Sequence, residues 1–251
     1  MKKLVKRTLP KTLFDKLKTL KKSHRNFFND IKAIGSGSDL DRLADIYGTD
    51  KIKHSCTTHY RQHFKKYRYK RINLLEIGVG GYDNPTAGGD SLRMWKKYFP
   101  FAKIFSFDIY DKLSLQEKRI KIFQGSQIDN VFLDEVIDSM GKNGVDIIID
   151  DGSHINEHVI DTFKLLFPKL NDGGIYIVED IGTSYWENYG GDNTDINNPK
   201  TSMNFFKALT DSLNYSEFRI PDYNPNYYDE KIISIHFYHN MVFVYKGNNC
   251  E

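Results

Sequence analysis

The chain has 251 residues with 39% apolar and 27% charged side chains, a globular balance that excludes a disordered or fibrous protein. Its formal net charge of +3 is too small to argue for nucleic acid, and no apolar run approaches the roughly 20 residues of a membrane span. Cys56 and Cys250 share no metal-type spacing and make no disulfide framework, so a reducing, cytoplasmic setting is expected.

Residues 1–38 are read as a basic N-terminal helical arm, with Leu4, Leu9, Leu13, Leu17 and Leu20 near helical spacing. Without an unbroken apolar core or a small-residue cleavage site, the arm is not a secretory signal. It is expected to be a solvated or packing helix, with weak contact to an anionic membrane surface as the sharper alternative. Residues 39–251 then form one domain. Asp39 to Lys66 is predicted helical. Asn73 to Gly80 reads as a short apolar strand running into a glycine-rich turn, and Ser91 to Tyr98 as a helix. Lys103 to Ile109 is a second strand, and a third begins at Ile120. Asn130 to Met140 is an amphipathic helix. The run VDIIID, Val145 to Asp150, suits a strand buried on both faces. A helix from Ile155 to Leu166, a strand from Gly174 to Glu179, a polar loop from Gly182 to Pro199 and a helix from Ser202 to Leu213 follow. Ile232 to Phe237 and Met241 to Tyr245 read as strands joined by a turn at His239-Asn240. Alternating strands and helices imply right-handed crossovers and a largely parallel sheet. Closed by an antiparallel hairpin, that sheet suits the α/β class I methyltransferase variant of the doubly wound, Rossmann-like fold.

Ligands of open α/β sheets sit beyond the carboxyl ends of the strands. The first such end here is Glu76-Ile77-Gly78-Val79-Gly80-Gly81, where glycine lets the backbone approach a ligand closely. Asp108 ends the next strand and is placed to accept hydrogen bonds from ribose hydroxyls. Gly125, Ser126 and Gln127 end the third strand where an adenine would lie, and Asp150 ends the fourth. A dinucleotide fingerprint needs a helix directly after its glycines. Here the loop from Tyr82 to Asp90 intervenes, and Glu76 suits a cationic cofactor better than a pyrophosphate. S-adenosylmethionine (SAM) is therefore preferred to NAD.

Asp150-Asp151-Gly152-Ser153-His154 pairs with Glu179-Asp180 at the end of the fifth strand. If those strands are neighbours, Asp151, Glu179 and Asp180 converge, and carboxylates that close repel one another without a cation. All-oxygen ligation suits Mg²⁺, or Mn²⁺ in its place. Such an ion lowers the pKa of a bound hydroxyl, and His154 is the nearby general base. His154 to His158 also fits the H-x-x-E-H zinc-peptidase pattern, which requires both histidines inside a helix. His154 instead follows a Gly-Ser turn.

The segments LEIGVGGYDNPTAGGDSLRMWKKYFP, FDIYDK, QGSQ, DDGSH and VEDIGTSYW together resemble the SAM- and metal-dependent sugar O-methyltransferases typified by a macrolide-modifying enzyme. YGTDKIKHSCTTHYRQHF resembles that family's segment before its first strand, and the likeness runs over roughly residues 40 to 245. It implies a sugar hydroxyl as acceptor, metal ligands at Asp151, Glu179 and Asp180, and His154 as base. By the same likeness Glu76, Gly78, Ser91 and Asp108 line the SAM pocket, and a homo-oligomer is expected. A nucleotide-activated sugar or a surface-polysaccharide sugar is the expected small-molecule substrate, with the sugar of a macrolide-type natural product as the alternative. An NAD-dependent sugar oxidoreductase or epimerase and a non-catalytic SAM-fold protein are the rival classes.

Overall fold

The computed structural model describes residues 25–52 and 55–249. Among these residues seven strands form one sheet: β1 (Asn73–Ile77), β2 (Lys103–Asp108), β3 (Ile120–Gln124), β4 (Val145–Asp150), β5 (Leu170–Glu179), β6 (Ile232–Tyr238) and β7 (Met241–Lys246). Their order is β3-β2-β1-β4-β5-β7-β6. The first five run parallel. β7 enters antiparallel beside β5, with β6 outside it. This is the class I SAM-methyltransferase architecture, with the closing hairpin at His239-Asn240 where the sequence predicts it.

Period-two alternation splits the core. Leu74, Ile147, Ile149, Ile175, Ile177 and Phe243 pack on one face, beneath helices α1 (Leu40–Tyr47), α2 (Cys56–Phe64) and α3 (Asp90–Tyr98). Leu75, Ile77, Ile148, Tyr176, Val178 and Val242 pack on the other, against α4 (Asn130–Asp138), α5 (Asn156–Leu166) and α6 (Ser202–Ser212). Central strands buried on both sides explain the unbroken apolar run of β4.

The predicted helical stretch from Asp39 to Lys66 is corrected to two helices. Gly48 takes the left-handed conformation, φ 77°, and caps α1, and a 3-10 turn, Asp50–Ile52, separates it from α2. A further short helix, α7 (Tyr227–Lys231), forms on a capping box at Asn226 that the sequence reading passes over.

Residues 1–24 of the predicted arm, with its helix and its membrane contact, lie outside the described residues. Residues 25–32 are helical, and the segment to 38 packs on the domain. Arg25 pairs with Asp90 at 2.8 Å, Tyr47 donates to Asp30 at 2.7 Å, and Ala33 is fully buried. Among the described residues no helix is long and apolar enough to cross a membrane.

Candidate active site

The register brings the strand ends level. Ile77 lies opposite both Phe107 and Asp150, and Asp150 opposite Val178. Asp151, the first residue after β4, and Glu179, the last of β5, therefore sit together at the edge of the sheet. Gly78, φ 90°, passes so close to Asp151 that a Cβ would stand 2.3 Å from its carbonyl oxygen. The glycine turn and the acidic turn are thus one packed unit, and only glycine fits at 78.

Asp151 is shared by two groups of potential ligands, each with atoms within 4.8 Å of one another. The outer group is Asp151, His154 and Asp180, all half-buried. The inner group is Glu76, Asp151 and Glu179, with Glu76 and Glu179 buried. Asp151 and Glu179 come together as predicted, but Glu179 and Asp180 fall in different groups. His154 Nε2 stands 3.9 Å from Asp151 Oδ1 and 3.8 Å from Asp180 Oδ2, too far for hydrogen bonds and open to a third partner. Both His154 (φ 57°) and Asp180 (φ 54°) are left-handed, a strained state for residues with a Cβ.

The inner group encloses the ammonium of Lys51, which the sequence reading misses. Lys51 is 2% exposed. Its Nζ lies 3.0 Å from Asp151 Oδ2 and 3.1 Å from Glu76 Oε1, and donates to Glu179 Oε1. Burial works against the charge, but the three carboxylates outweigh it and hold the Lys51 pKa well above its usual value. Burial pushes the Glu179 carboxyl up while Lys51 pulls it down. Tyr60, on α2, donates to the same Glu179 oxygen. Asn240, in the β6–β7 turn, donates to Asp180 Oδ1 and accepts from Gly182 N at 2.7 Å. One oxygen of each acid is thus held from behind. Asp151 Oδ1, Glu179 Oε2 and Asp180 Oδ2 carry none of these bonds and are oxygens of the kind a hard divalent cation takes, but Asp151 is the one acid common to both groups. Lys51 and Tyr60 lie in the family-like segment before β1 and Asn240 in the predicted turn, but nothing local in the sequence gives them these partners.

The predicted cofactor residues divide into open and closed. Gly80, φ 75°, has nothing within 4 Å of where a Cβ would sit. Asp108 accepts from Val79 N at 2.9 Å and Tyr110 N at 3.0 Å, one bond per oxygen, which leaves lone pairs for a ligand. Glu76, by contrast, is fully buried, with Oε2 accepting from Ser91 at 3.0 Å. Gly125 is explained by packing, since a Cβ there would overlap the Phe132 ring at 2.5 Å. Ser126 accepts from Ile128 N within its own turn. Gln127 is a buried brace that donates to Thr162 at 3.0 Å and accepts from Ser153 N at 2.8 Å. Asp150 is 1% exposed, and burial pushes its carboxyl up to about 7.

Among the described residues the dinucleotide and peptidase readings find no matching geometry. The loop after Gly81 folds back on itself, Lys112 donating to Asn84 O and Ala87 O, and α3 starts only at Asp90. His154 precedes α5, and His158 shares its Nδ1 with Ser153 Oγ at 3.0 Å. The proximal part of the 182–199 loop is clamped. Buried Asn156 donates to Thr183 O and Tyr189 O and accepts from Ser202 N and Oγ.

No protein-family model matches the chain. Mycinamicin VI 2''-O-methyltransferase of Micromonospora griseorubida is 44% identical over 223 residues, 86% of this chain and 55% of that protein. The 8-demethyl-8-(2-methoxy-alpha-L-rhamnosyl)-tetracenomycin-C 3'-O-methyltransferase of Streptomyces olivaceus is 41% identical over 216 residues, 85% of this chain and 55% of that protein. Among solved structures, MycE methyltransferase from the mycinamycin biosynthetic pathway, in complex with Mg and SAH, superposes with a TM-score of 0.81 at 44% identity. That match covers 85% of this chain and 55% of the other. The chain thus spans about half the length of the relatives it matches.

Proposed function

From a chain homologous in sequence and fold to sugar O-methyltransferases, we propose an enzyme that methylates a sugar hydroxyl with SAM and a divalent metal. The observation that carries it is His154 Nε2 standing between Asp151 and Asp180, at strand ends next to the glycine turn. Gly78, Gly80 and Asp108 line the SAM side, with Ser126 at the adenine end. Glu76 and Ser91 support that loop from behind. Asp151, Glu179 and Asp180 would hold Mg²⁺, which when bound supplies Lewis-acid stabilisation to a deprotonating hydroxyl. His154 takes the hydroxyl proton at Nε2. The strand-end turns hold acceptor and donor in line, and proximity supplies much of the rate gain.

The relatives' names favour a sugar already carried on a polyketide scaffold, and lend nothing to polysaccharide biosynthesis. Methyl transfer is therefore expected from SAM to glycosylated polyketides ahead of nucleotide sugars, and EDTA should abolish it. Turnover of nucleotide sugars alone would reverse the acceptor assignment. EDTA-resistant turnover would remove the metal.

A further inference from the structure

The inner half of the acidic cluster has the dimensions of a second metal site. Glu76, Asp151 and Glu179 offer oxygens within 4.8 Å of one another, and Asp151 is shared with the outer group as a bridging carboxylate would be. In two-metal centres the ions lie about 3.5–4 Å apart, a spacing that shared carboxylate permits. Lys51 Nζ stands where the inner ion would be, facing all three acids. An ammonium has three donors in a compact head, so one lysine answers three carboxylates. Glu76 Oε1 is buried and has no hydrogen-bond partner among the described residues, so only the Lys51 charge, at 3.1 Å, compensates it.

We infer that Lys51 is a resident cation that fills the inner half of the cluster and so limits the centre to one divalent ion. This rests on the reading of Asp151, Glu179 and Asp180 as ligands of that ion. Lys51 is a positioning and selecting residue, fixing Asp151 and Glu179 by one oxygen each, while the other Asp151 oxygen lies on the His154 side. Its loss vacates a chelating pocket of three acids.

The test is Mn²⁺ titration of the full chain, read by equilibrium binding and by electron paramagnetic resonance. Wild type is expected to take about one Mn²⁺ with an isolated-ion spectrum, and K51M about two with an exchange-coupled spectrum. K51M/E76Q, which removes one charge of each sign, should return to the isolated-ion spectrum and guards against a K51M chain that does not fold. An isolated ion in both wild type and K51M overturns the inference and leaves the metal reading standing. A coupled pair in wild type overturns the inference whatever the variants do. No Mn²⁺ bound by wild type overturns the metal reading, and the inference with it.

Discussion

His154 and Asp180 hold a backbone conformation that side chains with a Cβ rarely adopt. Such strain, of order 1–3 kcal/mol per residue, persists only where surrounding bonds impose it. Here Thr183 Oγ1 donates to His154 O at 2.9 Å, and Asn240 fixes Asp180. The strain aims the imidazole across the gap between two carboxylates. His154→Gln should keep SAH and metal binding by calorimetry while turnover falls about 10²–10⁴-fold, the usual share of a general base. Undiminished turnover would assign the proton to another group. Gly78→Ala forces a Cβ onto Asp151 O at an unfavourable φ. It should cost more than about 2 kcal/mol in urea denaturation and lose SAH binding. These two residues are legible in the sequence because each sits in a short motif at a strand end. Lys51 is not, because its three partners lie 25, 100 and 128 positions along the chain and no periodicity marks it.

Elements were legible where burial imposes a period. β4 runs over the residues its apolar pattern indicates, and α3, α5 and α6 start within a residue of the sequence expectation. The region before β1 was less so, because Gly48 breaks a stretch whose apolar residues continue on both sides of it. The loop from Gly182 to Pro199 reads as polar in the sequence, and Asn156 ties its near half to α6 through one buried amide. Asn156→Ala should therefore cost about 2–3 kcal/mol and speed protease cleavage within the loop, because buried backbone groups lose their partner. Unchanged cleavage would show that other contacts hold the segment.

On the scale of the whole molecule, the doubly wound fold and its closing hairpin could be read from element order alone. What joins the layers could not. His63 on α2 bonds through Nδ1 to Tyr245 on β7 at 2.6 Å and through Nε2 to Tyr238 on β6 at 2.8 Å. Burial, then His236, His59 and Lys66, push its pKa down to about 4. The unfolded chain takes up this proton near pH 6.5. The folded imidazole refuses it until about pH 4, so its stabilisation is complete above pH 6.5 and is lost as pH falls through that window. The loss should be on the order of 2 kcal/mol between pH 7.5 and 4.5. His63→Phe should show a shallower decline in paired urea melts, and equal slopes would locate the acid sensitivity elsewhere. The same hairpin governs when the acidic cluster can be completed during synthesis. Asp151, His154 and Asp180 are translated early, but Asn240, which orients Asp180, emerges some sixty residues later. A ribosome-bound chain therefore completes the five parallel strands before Asp180 gains the side chain that orients it, and the acidic cluster takes its final form only with the last strand pair.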